Sequence, residues 1–188
     1  MLRALFLSSA IAMCAALSAQ AEEHRQLSAH VHGHARLNMA IEGKALSLEL
    51  EAPGMDIVGF EHEPGTAEQK AALADAKAKL ADGSALFAPS PGASCALKSA
   101  NISTGAEHED EHEHEAGSEG KEEHRHSEFR AAYAFECASP DRLTSMTFGY
   151  FKEFPNSLEL DVSVISPNGQ SSFEVARDKP SLTLTGAL

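Results

Sequence analysis

After residue 21 the sequence has no apolar run approaching the roughly 20 residues a membrane-crossing helix needs, which excludes a helical span from the remainder. Basic side chains are scarce. The 15 Lys and Arg stand against 28 Asp and Glu, a formal charge of −13 that disfavours nucleic acid or anionic membrane surfaces as partners and attracts cations. Cysteine is nearly absent, with Cys14 in the leading apolar segment and only Cys95 and Cys137 beyond it. No grouping of side chains suggests an activated nucleophile, so the chain does not read as an enzyme. No methionine pair accompanies the histidines, which argues against a Cu(I) site. What the chain has in quantity is histidine, ten residues in all.

Met1-Leu2-Arg3, the apolar stretch Ala4 to Leu17 and Ala19-Gln20-Ala21 fit a cleavable secretory signal peptide over residues 1–21. Residues 22–188 are then expected to form one soluble, β-rich, metal-binding domain outside the cytoplasm. Two cysteines in an exported chain predict a single Cys95–Cys137 disulfide in preference to a pair of thiolate ligands.

Period-2 alternation predicts most of the secondary structure. From Ala29 to Ile41, Val31, Ala35, Leu37, Met39 and Ile41 point one way, and His30, His32, His34, Arg36 and Asn38 the other. Leu46, Leu48 and Leu50 alternate with Ser47, Glu49 and Glu51 in the next strand. A two-residue turn at Glu42-Gly43 would pair Leu37 with Leu48 and set Arg36 opposite Glu49 and His34 opposite Glu51. One helix is predicted from the capping box Thr66…Gln69 to Leu80, with Gly83 as its stop and Ala72, Leu73, Ala76 and Leu80 as its inner stripe. Strands resume around Ala93–Leu97 and Phe129–Cys137, then near 144–151, 158–165, 171–176 and 182–184. The fold class is therefore α+β, mainly antiparallel β-sheet and sandwich-like, with one helix. Between the strands that carry the cysteines, residues 104–127 lack apolar periodicity and are expected to form a flexible acidic, His-rich loop.

Imidazole and carboxylate together are ligand chemistry for zinc, copper and nickel. His30, His32 and His34 lie on one face of an extended strand about 6.6 Å apart in alternation, so two can reach one ion and a bend at Gly33 would bring in the third. His62, in Glu61-His62-Glu63, is the best further ligand, with Glu51 and Glu61 as carboxylates bound to the ion or to its histidines. His108, His112, His114, His124 and His126 would supply looser sites, because ordering a mobile segment around an ion costs roughly 1 to 2 kcal/mol of backbone entropy per residue. The bland alternatives are a solvated strand edge and a solubilising loop. His108-Glu109-Asp110-Glu111-His112 matches the H-E-x-x-H pattern of zinc proteases, but that chemistry needs an amphipathic helix and a cleft, and neither is indicated here.

The phrases Ala29-His30-Val31-His32-Gly33-His34-Ala35 and Leu50-Glu51-Ala52-Pro53-Gly54-Met55-Asp56-Ile57-Val58-Gly59-Phe60-Glu61-His62, followed by a His/acid-rich loop, resemble the ZrgA-like family of bacterial periplasmic zinc-binding proteins. The resemblance implies a periplasmic protein that binds Zn2+ and supports its uptake beside a membrane zinc transporter. A copper- or nickel-handling protein is the alternative that imidazole chemistry leaves open, and a zinc-dependent hydrolase a more distant one.

Overall fold

Strands whose apolar residues recur at every second position assemble here into two sheets around one core. The computed structural model describes residues 31–105 and 128–186. In chain order these form β1 (His34–Glu42), β2 (Ala45–Pro53), α1 (Gly54–Ile57), α2 (Ala67–Ala81), α3 (Gly83–Leu86), β3 (Phe87–Pro89), β4 (Cys95–Thr104), β5 (Glu128–Cys137), β6 (Ser145–Phe148), α4 (Tyr150–Glu153), β7 (Glu159–Ser166), β8 (Gly169–Ala176) and β9 (Ser181–Thr183). The predicted signal segment, His30 and the loop histidines with their H-E-x-x-H match all lie outside the described residues.

The large sheet has the order β4-β5-β2-β1-β7-β8, and the small one β3-β6-β9. Neighbours are antiparallel except β1 and β7, which run parallel. Leu37, Met39, Leu46, Leu48 and Leu50 are buried on the inner face with Leu160, Val162 and Val164 of β7. Each contributes roughly 1.5 to 3 kcal/mol by leaving water. The small sheet closes over that face, with Phe87 of β3 edge-on to Tyr133 of β5 at 5.3 Å between ring centroids. Among the described residues the arrangement is sandwich-like, as the alternation predicts, with one parallel pair added and with three short α-helices beside the long one.

The capping box of α2 forms: Gln69 N donates to Thr66 Oγ1, and Thr66 N to Gln69 Oε1. Gly83 has a different part from the predicted stop. It lies under the Tyr133 ring, where any Cβ would collide, and α2 has already ended at Ala81.

The first hairpin keeps its predicted faces in a register displaced by two residues. Arg36 pairs with Glu51, Leu37 with Leu50 and Glu42 with Ala45, so Gly43 and Lys44 make the turn. Gly43 then occupies the first turn position with φ +56°, and only the glycine has to enter the left-handed region. The Glu42-Gly43 turn would have demanded that conformation of a glutamate. A displacement of two leaves every side chain on its own face. Cys95 and Cys137 are paired across β4 and β5 and joined by the predicted disulfide. At the other end of the same two strands Gly105 N donates to Glu128 O, the last bond before residues 106–127.

Candidate metal centre

Gly33 organises the histidines of the first strand. Its φ of +87° breaks the extended chain ahead of β1, so the predicted strand from Ala29 begins only at His34 and Val31 is 61 % exposed instead of buried. The break is held from two sides. Gly33 O accepts from Leu158 N (2.7 Å) and Glu159 N (2.9 Å), and Gly33 N donates to Asp56 Oδ1 (2.8 Å). A Cβ at Gly33 would stand 3.0 Å from Leu158 Cδ1.

The turn sends the two described histidines of the run to different carboxylates. His32 Nε2 lies 3.0 Å from Glu61 Oε1, with the His32 side chain 56 % exposed and that of Glu61 15 %. His34 Nδ1 lies 3.3 Å from Glu159 Oε1, a contact that exists because β1 and β7 pair in register at these positions. His62 turns to the start of α2: its Nδ1 bonds Glu63 O at 2.9 Å, its Nε2 meets Gln69 Nε2 at 3.3 Å, and its ring stacks on Phe60 at 5.1 Å. Both ring nitrogens are thus engaged, and a single tautomer, protonated at Nδ1, satisfies both. Glu51 lies 2.7 Å from Arg36 and 3.9 Å from Arg130, not beside His34, which follows from the displaced register. Among the described residues no group of three or more His, Cys, Asp or Glu is arranged to hold an ion. Among the described residues, His32 and Glu61 are the predicted ligands that the fold brings into contact.

Two carboxylates that the sequence reading did not single out belong to this region. Asp56, in α1, is 1 % exposed. Burial raises its pKa above the ordinary carboxyl value, against the opposing pull of the Gly33 N–H and the His32 ring. Glu159 is raised by partial desolvation and by the neighbouring Glu174, with His34 opposing. Asp56 sits inside the phrase that carries the family resemblance, which is the one signal that could have drawn attention to it. Glu159 has no such signal.

The positions of Gly105 and Glu128, which flank residues 106–127, follow from sheet register. Asp161, Arg36, Glu51, Arg130 and Ser103 form one row across β7, β1, β2, β5 and β4. Two residues beyond that row lie His34 on β1, and Gly105 and Glu128, the attachment points of the acidic segment. The His32–Glu61 pair and the two residues that flank 106–127 therefore share one end of the sheet, and the disulfide lies at the other. No curated protein matches the chain. A family model described as "ZrgA family zinc uptake protein" matches residues 29–184.

Proposed function

The chain belongs to the ZrgA family of zinc uptake proteins, and from that premise we propose that it is a periplasmic zinc-binding protein that captures or buffers Zn2+ and passes it towards a membrane zinc transporter. The family is one of zinc uptake and not an enzyme family. Zinc is here the cargo.

The observation that carries this reading is the contact between His32 Nε2 and Glu61 Oε1 at 3.0 Å. Two donors on a tetrahedral ion with bonds of about 2.0 to 2.1 Å stand roughly 3.3 Å apart. An ion can therefore replace the shared proton with little movement of either side chain. Further donors must come from nearby. His30 lies two residues before His32, His62 is next to Glu61 in the chain, and His34, which the Gly33 turn directs to Glu159, joins by leaving that carboxylate. His62 joins by giving up Gln69, which costs one weak hydrogen bond. His108, His112, His114, His124 and His126, carried on the segment between Gly105 and Glu128, serve as capture sites that feed the ordered one. Glu51, held by two arginines, shapes the local charge and is a poorer ligand than Glu61.

Calorimetric zinc titration of the native chain, His32→Ala and Glu61→Gln tests the assignment. Losing a ligand should weaken the tightest site by about a hundred-fold in His32→Ala, and the carboxylate change by about ten-fold. Native affinity in His32→Ala would remove the ordered site from this end of the sheet.

A further inference from the structure

Asp56 is a carboxylate in a place where a carboxylate is expensive. It is 1 % exposed, and its Oδ1 accepts a hydrogen bond from Gly33 N at 2.8 Å. Oδ2 is also buried, and the Ser157 hydroxyl between it and Tyr150 is its polar neighbour. A carboxylate taken out of water destabilises a fold unless polar contacts compensate it, and the bond from Gly33 N is the largest of those that do so here.

That contact falls on the peptide joining His32 to Gly33. The peptide unit is planar, so an acceptor fixed on Gly33 N–H also fixes the plane that ends at the His32 Cα. On the far side of Gly33 the carbonyl is held by two N–H groups at the start of β7. The turn is thus gripped before and after the glycine, and the His32 side chain leaves it from a fixed origin towards Glu61. We propose that Asp56 is a positioning residue for His32: it holds the His32–Gly33 peptide so that the imidazole is presented to Glu61 and, resting on the zinc reading above, to the ion. Asp56 itself does not touch the ion. It acts through His32, as the partners behind metal-binding histidines do in general.

The test uses the full-length chain and two readouts, long-range 15N–1H spectra of the histidine rings in zinc-free protein and calorimetric titration with zinc alone. In the native protein the ring of His32 should be predominantly in its Nε2–H form, donating to Glu61. Asp56→Ala should return that ring to the spectrum of a freely exposed imidazole and weaken zinc binding by about ten-fold. Asp56→Asn, which keeps an oxygen for the Gly33 N–H, should restore both. In a His32→Ala background Asp56→Ala should cost nothing further, since its effect runs through the ring that is gone.

A folded Asp56→Ala protein with the native His32 spectrum would overturn the proposal, and so would an equal additional loss in the His32→Ala background. If Asp56→Ala does not fold, Gly33→Ala disturbs the same turn from the Leu158 side, and an unchanged His32 ring there is equally fatal. A lost His32 signature combined with native zinc affinity in His32→Ala would sustain the positioning role and end the zinc assignment instead.

Discussion

Glycine 33 and aspartate 56 illustrate how much of this site rests on single residues remote from the donor atoms. The positive φ of Gly33 separates His32 from His34, and the buried carboxylate below it holds the break in place. The energetic cost of Asp56 makes a pH prediction. The unfolded chain releases this proton near the ordinary value of 3.8, whereas the folded protein retains it to higher pH because burial disfavours the charge. Above 3.8 the folded state therefore binds more protons than the unfolded one, and the contribution of Asp56 to stability falls as pH rises through its folded pKa. Asp56→Asn abolishes that dependence. Urea unfolding of zinc-free protein from pH 3.5 to 6 should show the stability difference between variant and native moving in favour of the variant as pH rises. A movement in the opposite direction would mean that the Gly33 and His32 interactions outweigh burial.

At the scale of elements, the β4–β5 hairpin has a locked end and an open one. Cys95–Cys137 closes the end away from the histidines across 42 residues of sequence, and the Gly105–Glu128 bond closes the other. Loop-closure entropy assigns such a crosslink about 4 kcal/mol. Replacing both cysteines with serine should lower unfolding stability by roughly 2 to 4 kcal/mol, measured with urea. The same variant should keep native zinc affinity, because the disulfide and the His32–Glu61 pair lie at opposite ends of the sheet. The first hairpin carries a complementary lesson. Alternation specifies which face each residue takes, but two registers differing by two residues satisfy it equally, and the turn chemistry of Gly43 chose between them. That choice gave Glu51 to Arg36.

For the molecule as a whole, the acidic segment is an insertion at one end of a completed sheet. Gly105 and Glu128 are already hydrogen-bonded neighbours, so the sheet does not depend on what joins them. Exchanging residues 106–127 for a four-residue Asn/Gly turn should leave the midpoint of thermal unfolding within a few degrees, since loop length enters stability only logarithmically. It should also lower the number of zinc ions bound while sparing the tightest site. Loss of the tightest site in that variant would transfer it from the His32–Glu61 pair to the inserted histidines.

Much of this was legible before any coordinates. The inner faces of β1, β2 and β5 follow from alternation, the start of α2 from Thr66 and Gln69, the disulfide from two cysteines in a chain read as exported, and the zinc-family relationship from two phrases between Ala29 and His62. Other features were decided only in three dimensions. Period-2 patterning says which face is apolar and nothing about which strand lies alongside, so the parallel β1–β7 pair, and with it Glu159 beside His34, had no local signature. Nor can a sequence show that Asp56 is covered, because burial belongs to whatever packs over a residue. The metal-free partner of His62 has no local signature either: Gln69, which also serves the cap of α2, lies within reach of its ring.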